Sequence, residues 1–335
     1  MEVVILGAFY FLFLDKHHFL ARDIDYISFI EDLKGKMKMK KHIGFVGGDQ
    51  RILNVAESLS KKGFDVWVCA IDQEQENQTS KFNIAKNLEE IVESSDVIVG
   101  PIPFSQDGKY IFSPLSKSLI EIDELVDKLC KKGIPLIASV IPENTKRFCE
   151  LKNVKYYDLY EKEELAILNA IPTAEGAIAI AIEKMPITLH SSNVLILGYG
   201  RIGKILSKIL KGFECNLFVA ARKISDLTWC KALGYAPVKL SELKKYVANM
   251  DLIVNTIPAK VIDKEVIDNI REGTLVIDLA SKPGGVDFEY AKQKRIEVVH
   301  ALSLPGKVAP KTAAQYVIEV LLNLLDELEG EKIES

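Results

Sequence analysis

The chain has 335 residues, of which 48% are apolar and 27% are charged, and its formal net charge is −4. This composition is typical of a folded globular protein and excludes a disordered one. The sequence contains no long run of basic residues that would form a nucleic-acid-binding face, so we expect no nucleic-acid partner. The five cysteines and five histidines lack disulfide or metal-ligand spacing. We therefore expect no metal and a reducing, cytoplasmic compartment.

Residues 1–40 lack the alternation of strand-like and helical segments that the rest of the chain shows. Their apolar run, Val3 to Leu14, is too short to span a bilayer and lacks the basic segment of a signal peptide. We expect residues 1–40 to be an extension upstream of the fold, and we expect no membrane association.

From residue 41 onward, apolar strand-like runs alternate with amphipathic helical segments. The runs KHIGFVGG, DVWVCA, DVIVG and IPLIAS are predicted strands, with helices over 49–62 and 119–132. This alternation predicts a parallel sheet with helices on both faces. We expect residues 41–165 to form a flavodoxin-like substrate domain, completed by the C-terminal helix at 312–330.

A second unit of the same kind follows a predicted linker helix at 166–190. Pro172 is expected to interrupt this helix, and Thr173 to restart it as an N-cap. The runs NVLIL, NLFVAA, DLIVNT and TLVIDLA then predict a Rossmann dinucleotide-binding domain over 191–311. The predicted fold class is therefore α/β, with two doubly wound parallel-sheet domains and a ligand cleft between them.

The strand NVLIL leads directly into a GxGxxG turn that opens a helix. In this context the glycines permit a tight turn, close backbone approach to a pyrophosphate and close packing of helix on strand. The helix N-terminus adds unpaired N–H donors and a positive dipole end. The predicted cofactor-binding residues here are Gly198, Tyr199, Gly200, Arg201, Ile202 and Gly203.

The end of the next strand predicts which dinucleotide is bound. Enzymes that use NAD tend to place a carboxylate there for the ribose 2′-hydroxyl, whereas this sequence has Ala221, Arg222 and Lys223. Two cations favour a 2′-phosphate, so we expect NADP. The alternative, in which Arg222 stacks on the adenine or faces solvent, leaves NAD open.

Two further turns are expected at the nicotinamide end. The first follows DLIV and consists of Asn255, Thr256, Ile257 and Pro258. The second, DLASKPGG, carries Lys282 and two glycines that we expect to let the ring approach closely. Both turns have a plain alternative interpretation as strand-to-loop connections.

The substrate side is predicted from helix starts and cations. Gly48, Asp49 and Arg51 follow the first strand, where they form either an anion site with an arginine clamp or a plain turn with Asp49 as N-cap and Arg51 in solvent. Thr173 and Glu175 lie at the expected helix restart, and the helix dipole alone accounts for Glu175 there.

Cations also follow the last strand. Lys307, Lys311 and Thr312 lie in a proline-containing loop, LPGKVAPKT, which together with Lys282 suits a dicarboxylate substrate. The alternative interpretation is that these lysines are simply solvated. His300 is isolated in a strand and is expected to be structural.

These motifs together resemble the dehydrogenase (A) component of dipicolinate synthase over residues 42–325. The resemblance is carried by GGDQR, GPIP, NAIPTAEGAI, VLILGYGRIGK, VAARK, VNTIPA, VIDLASKPGGVDFEYA and LPGKVAPKTAAQ. It implies an oxidoreductase that converts a dihydrodipicolinate-type precursor into dipicolinate during sporulation, in the mother-cell cytoplasm. It also implies an oligomeric enzyme whose partner is the flavoprotein B subunit, which alone would hold FMN.

The resemblance also implies roles for residues at the matching positions. The glycine turn, Arg222 and Lys223 would hold NADP. The cleft would be lined by Gly48, Asp49, Arg51, Thr173, Glu175, Lys282, Pro305, Lys307, Lys311 and Thr312, with Glu175, Lys282, Lys307, Lys311 and Thr312 as catalytic candidates. The proton acceptor is left open among Glu175, a deprotonated lysine and water.

Three other functions compete with this one. A D-2-hydroxyacid or alanine dehydrogenase shares the two-domain plan, but the hydroxyacid enzymes need a histidine paired with a carboxylate, which the PGKVAPKT loop lacks. A methylene-tetrahydrofolate dehydrogenase has a similar proline-glycine loop. A nucleotide-sensing regulatory protein would bind NADP without turnover.

Overall fold

The computed structural model describes residues 42–70 and 82–334, with side chains described up to residue 328. The expected extension at 1–40 lies outside the described residues. The first domain contains strands β1 to β6 and helices α1 to α4, followed by a short 3₁₀ turn at Leu159–Glu161. In chain order these elements are β1 His42–Val46, α1 Gln50–Lys61, β2 Asp65–Cys69, β3 Asn83–Ile84, α2 Leu88–Glu93, β4 Val97–Val99, α3 Ile122–Lys132, β5 Leu136–Ala138, α4 Glu143–Leu151 and β6 Tyr156–Asp158.

The second domain follows a long connecting helix, α5, at Glu163–Lys184. It contains two short 3₁₀ helices, at Leu240–Lys245 and Val247–Asn249. The remaining elements are β7 Asn193–Leu197, α6 Arg201–Gly212, β8 Asn216–Ala221, α7 Ile224–Ala232, β9 Ala236–Lys239, β10 Leu252–Asn255, α8 Lys264–Ile267, β11 Leu275–Asp278, α9 Phe288–Gln293, β12 Glu297–His300, α10 Leu304–Val308 and α11 Pro310–Glu334.

Both sheets are parallel and have the same strand order. The first runs β3-β2-β1-β4-β5-β6 and the second β9-β8-β7-β10-β11-β12, so the predicted pair of doubly wound parallel sheets is confirmed. The five longer strands of the first sheet follow the flavodoxin order, and the two-residue strand β3 extends that order to the Rossmann one. The ligand-binding edge of such sheets is the one where the strands end.

Each sheet is buried on both faces, which explains why its strands are continuously apolar. In the first domain α1, α5 and α11 cover one face, and α2, α3 and α4 cover the other. The last helix therefore returns to the first domain, where Ile318, Leu321 and Leu325 pack into its core. Cys69 and Cys215 are buried as small apolar residues.

Helix α5 corrects the expected break at Pro172, because it runs without interruption through this proline. Thr173 is not an N-cap: its hydroxyl donates to the Asn169 carbonyl at 2.7 Å within the helix. Proline removes one backbone donor from a helix, but burial of the surrounding turns offsets that loss. Ala170 and Ala174, on either side of Pro172, are almost completely buried.

The apolar composition of α5 reflects its position in two cores. Leu165 and Leu168 pack against the first domain, whereas Ala174, Ala177 and Ile178 pack into the second. Among the described residues α5 alone is long and apolar enough to cross a membrane by length and composition. Its packing identifies it as a core helix.

The chain crosses back between the domains at residues 304–318, and this second crossing packs on the first. The expected proline-pinned loop is instead the short helix α10 followed by the start of α11. A Cβ built on Gly176 of α5 would lie 2.9 Å from Val308 Cγ2 and 3.2 Å from Leu304 Cδ1. Only glycine permits α5 and α10 to pack this closely.

We expect Gly176→Val to lower the free energy of unfolding by about 1–3 kcal/mol, because the added methyl groups overpack the junction. Urea unfolding followed by circular dichroism measures the change. Gly212→Ala is the matched control, since nothing lies within 4 Å of its added Cβ. A Gly176→Val protein as stable as the control would contradict this account of the junction.

Candidate active site

The GxGxxG turn has the geometry that its three glycines predict. Gly198 adopts φ +100°, a backbone conformation that favours glycine. A Cβ on Gly203 would lie 2.1 Å from the Gly198 carbonyl oxygen, so only glycine lets α6 approach strand β7 this closely. The turn therefore aims the start of α6 across the end of the strand.

The space beside Gly200, at the N-terminus of α6, is open to a ligand. No side chain caps this helix, and a Cβ on Gly200 would meet nothing within 4 Å. The N–H groups of the first turn consequently point into open space with the positive end of the helix dipole behind them. This arrangement fits the pyrophosphate of a dinucleotide.

The equivalent turn of the first domain is filled by protein. The Gly48 N–H donates to the Phe112 carbonyl at 2.8 Å, and a Cβ on Gly48 would lie 2.8 Å from Ile52. Asp49 caps α1 by accepting from the Arg51 N–H at 3.0 Å. Asp49 is therefore the N-cap that the plain interpretation of this turn predicts.

Arg51 is not free in this turn. Its guanidinium forms a bidentate ion pair with Asp49, with Nη2 at 2.8 Å from Oδ2. The same nitrogen donates to the Ile102 carbonyl at 2.7 Å. Arg51 therefore joins the start of α1 to the loop after β4, and it would have to release these partners to bind a substrate carboxylate.

Arg222 and Lys223 lie at the end of β8, where dinucleotide-binding domains recognise the ribose 2′ position of the cofactor. They follow β8, which pairs with β7 in register from Asn193–Asn216 to Leu197–Ala220, so the two residues lie beside the glycine turn. Both side chains are exposed, and no ion pair engages them in the described part of the chain. Ala221 itself is buried in the sheet.

Tyr199, Arg201 and Ile202 of the GxGxxG turn differ in how far their side chains are free to contact a ligand. Ile202 packs against the core of the second domain. Burial raises the pKa of the Tyr199 hydroxyl above its ordinary value. Arg201 pairs with Glu163 at the start of α5, with 3.1 Å between Nη1 and Oε2. This exposed ion pair links the start of α5 to the dinucleotide turn.

A buried amide and carboxylate hold the two turns at the nicotinamide end. Asn255 and Asp278 are completely buried, and Asn255 Nδ2 donates to Asp278 Oδ1 at 2.8 Å and to the Ile257 carbonyl at 3.0 Å. Asp278 also accepts from the backbone N–H groups of Ala280 at 3.1 Å and Gly285 at 2.7 Å. Asn255 therefore shapes the turn that precedes Pro258 rather than facing a ligand.

The glycines of DLASKPGG have a structural role beside the one expected for them. A Cβ on Gly284 would lie 2.7 Å from Asp278 Oδ2, and one on Gly285 would lie 2.1 Å from Asn255 Nδ2. The glycines thus make room for this buried pair, and the expected approach of a cofactor ring stays a prediction. The sequence signal that we missed is an aspartate at the end of the apolar run LVID.

Thr256 and His300 also have structural contacts. The Thr256 hydroxyl donates to the Leu197 carbonyl at 2.8 Å, which joins the turn after β10 to β7. His300 Nε2 lies 2.9 Å from the Ala280 carbonyl oxygen, and its ring packs 4.9 Å from that of Phe288. The structural interpretation of His300 is supported.

The expected substrate residues outside the Gly48 turn divide into two groups. Thr173, Glu175, Lys307, Lys311 and Thr312 lie on α5, α10 and α11, the elements that form the double crossing between the domains. Glu175 precedes Gly176, and Lys307 precedes Val308, so both flank the tight contact between α5 and α10. Lys282 lies separately, in the turn that Asp278 organises.

The cations of this set are exposed. In the part of the chain that the structure describes, neither ion pairs nor hydrogen bonds engage the side chains of Lys282, Lys307 and Lys311. Glu175 is exposed as well. These side chains are therefore available to a ligand.

Comparison with known proteins assigns both domains. Residues 42–160 match the family of the N-terminal domain of the dipicolinate synthase A component, and residues 174–283 match the NAD-binding domain of D-isomer specific 2-hydroxyacid dehydrogenases. The dipicolinate synthase A component of Bacillus subtilis is 32% identical over 294 residues, which cover 87% of this chain and 97% of that protein. The chain belongs to the family of dipicolinate synthase A components.

Solved structures of this family share the fold. The dipicolinate synthase A component from Bacillus subtilis superposes with a TM-score of 0.82 at 30% identity, covering 89% of this chain and 99% of that one. Its counterpart from Bacillus halodurans superposes with a TM-score of 0.77 at 30% identity, covering 86% and 98%. As in other dehydrogenases with this NAD-binding domain, the chain is an oxidoreductase that uses a nicotinamide dinucleotide.

We expect Gly200→Ala to weaken dinucleotide binding at least tenfold while leaving the fold intact. The added methyl group meets no protein atom but fills the space over which the pyrophosphate must approach. Calorimetric titration with NADP and NAD measures the affinity. Gly212→Ala, remote from the turn, is the control, and unchanged affinity in Gly200→Ala would contradict the assigned binding surface.

We expect Asp278→Asn to lower the free energy of unfolding by about 1–3 kcal/mol, because one of its backbone donors would then face an amide N–H instead of an acceptor. Urea unfolding measures this loss. Asp268→Asn is the control, since Asp268 forms an exposed ion pair with Lys294, and such pairs contribute about 1 kcal/mol or less. Equal stabilities of the two variants would contradict the role of Asp278.

Proposed function

We propose that this chain is the dehydrogenase component of a dipicolinate synthase, which oxidises a dihydrodipicolinate-type precursor to dipicolinate during sporulation. The observation that carries the proposal is the open helix start at Gly200, in a chain whose two domains match this family and a dehydrogenase NAD-binding domain. The mother-cell cytoplasm is its proposed location.

The proposed cofactor is NADP. Arg222 and Lys223 offer two exposed cations at the strand end beside the dinucleotide turn, where a carboxylate would favour NAD. An arginine binds a phosphate through two parallel hydrogen bonds, and a lysine adds a second positive charge. The open turn at Gly198–Gly203 would hold the pyrophosphate.

The residues of this chain mainly bind and orient the substrate. The bound nicotinamide supplies the acceptor for the two electrons and one hydrogen that leave the ring, and a proton leaves from the neighbouring ring position. Aromatisation makes this step favourable, so positioning contributes most of the catalysis. Lys282, Lys307 and Lys311 are proposed to bind the two carboxylates, with Thr173 and Thr312 beside them.

Glu175 is the proposed proton acceptor from this chain. It is exposed on α5 and lies next to the contact with α10, which carries Lys307. A deprotonated lysine or a water molecule is the alternative acceptor. Arg51 would assist only after exchanging its bonds to Asp49 and Ile102 for a substrate carboxylate.

The proposed partner is the flavoprotein B subunit of the same enzyme, the only component proposed to bind FMN. The family name of the relatives denotes one component of an assembly. The partner and the oligomeric state therefore form part of the proposal.

The contacts of the histidines argue against a D-2-hydroxyacid dehydrogenase. Such enzymes need a histidine paired with a carboxylate at the nicotinamide, whereas His300 bonds a backbone carbonyl. The other described histidines, His42 and His190, pair with carboxylates. His42 begins β1 and His190 precedes β7, so both lie at the opposite sheet edge from the glycine turn.

A coupled assay tests the proposal. Dihydrodipicolinate synthase generates the labile precursor in place, and dipicolinate is followed by its absorbance with NADP or NAD, with and without the flavoprotein. We expect dipicolinate and reduced dinucleotide in equal amounts. Dinucleotide binding without turnover under all four conditions would favour a nucleotide-sensing protein instead. Turnover of 2-keto acids or methylene-tetrahydrofolate would indicate the other dehydrogenases.

We expect the double substitution of Arg222 and Lys223 by Ala to raise the KM for NADP roughly 10–100-fold, because hydrogen bonds to a charged group contribute about 1.5–3 kcal/mol. The KM for NAD should change less than about threefold, since NAD has no 2′-phosphate. Lys231→Ala, on the exposed side of α7, is the control. A parallel rise in both KM values would contradict 2′-phosphate recognition.

A further inference from the structure

Val140 has a backbone conformation that its side chain disfavours. It follows strand β5 with φ +56°, in the left-handed region, where a β-branched residue is an outlier. Among the described residues with positive φ, Val140 is the only β-branched one. Such strain persists only where the surroundings enforce it, and it concentrates at functional sites.

The buried carboxylate of Asp158 enforces this conformation. Its Oδ1 accepts from the Val140 N–H at 2.9 Å, and its Oδ2 accepts from the Ile141 N–H at 2.8 Å. The same Oδ1 accepts from the Tyr160 N–H at 2.9 Å. Asp158 is only 8% exposed, so these bonds are protected from water. One carboxylate thus fixes the backbone of two neighbouring segments.

The two side chains fixed in this way are apolar and exposed. Val140 is 46% exposed and Tyr160 is 60% exposed, whereas Ser139, Ile141 and Leu159 beside them are buried. Packing inside this domain therefore does not explain why Val140 is held under strain. An unpacked apolar surface that the structure holds rigidly is suited to contact a ligand.

Their position is on the side of the first domain that meets the dinucleotide turn. Both residues follow strand ends, at the edge where ligands bind in such sheets. Tyr160 lies three residues before Glu163, whose carboxylate pairs with Arg201 of the GxGxxG turn at 3.1 Å. Tyr160 is consequently close in the chain to this ion pair, and Val140 is tied to Tyr160 because the N–H groups of both residues donate to Asp158 Oδ1.

We propose that Val140 and Tyr160 form an apolar contact surface for the flat face of the substrate ring. This inference rests on the proposed function. A pyridine-type dicarboxylate has charged edges and apolar faces, so lysines alone cannot fix its tilt relative to the nicotinamide. Asp158 acts as the positioning residue that holds the backbone of both residues in place.

The test is Val140→Gly in the full chain, assayed as above with saturating dinucleotide. Glycine tolerates positive φ, so the variant should melt at the same temperature as the wild type or a few degrees higher. We nevertheless expect kcat/KM for the precursor to fall at least tenfold, with the dinucleotide Kd unchanged. Dipicolinate binding to the dinucleotide complex, measured by calorimetry, should weaken by a similar factor.

Tyr160 supplies an independent variant pair. Tyr160→Ala should lose kcat/KM as Val140→Gly does, whereas Tyr160→Phe keeps the ring and should retain it. Arg295→Gly relieves a positive φ on an exposed turn before β12, and Leu151→Ala removes an exposed apolar side chain from α4. Neither control should change the kinetics.

The outcomes separate this inference from the proposed function. Wild-type turnover with unchanged kcat/KM in Val140→Gly would overturn the contact surface and leave the proposed function standing. A loss confined to dinucleotide affinity would also overturn it. A wild-type protein that neither forms nor binds dipicolinate would overturn both.

Discussion

The packing of two chain crossings against each other is the constraint on which the arrangement of the domains depends. Helix α5 belongs to both hydrophobic cores, and α10 lies against it at Gly176, where a side chain would collide with Val308. Because α11 then returns to the first core, the first domain is completed by residues that follow the second domain in the chain. Thr173, Glu175, Lys307, Lys311 and Thr312, five of the candidate substrate residues, lie on these same helices.

The two sheets show how one architecture gives different binding properties. Both have the same strand order, and both place a glycine turn between the first strand and the first helix. In the second domain the turn is uncapped and open at Gly200, whereas in the first the Phe112 carbonyl and the Asp49 carboxylate occupy the donors. Local filling of the helix start, rather than the fold, therefore decides which domain receives the dinucleotide.

Two buried carboxylates, those of Asp278 and Asp158, fix the backbone of the segments that follow the strands. Asp278 accepts three N–H donors and fixes the turns after β10 and β11, while Asp158 accepts three and fixes the segments after β5 and β6. A buried charge is stable only when donors surround it, so each aspartate imposes one conformation on its neighbours. Rigid loops at the ligand-binding edge follow from this, which is the pre-organisation that a dehydrogenase site needs.

Local spacing in the chain was enough to predict the periodic features: the alternation of strands and helices, the glycine turn and the cations at Arg222 and Lys223. Features that depend on distant partners are visible only in the folded molecule. Burial on both sides carries α5 through Pro172, and the pairing of Asn255 with Asp278 requires the glycines of DLASKPGG. The occupation of the Gly48 turn by Phe112 and the strain at Val140 likewise arise from residues remote in sequence. Local patterns report backbone preference, whereas these features are set by contacts that form only when the chain has folded.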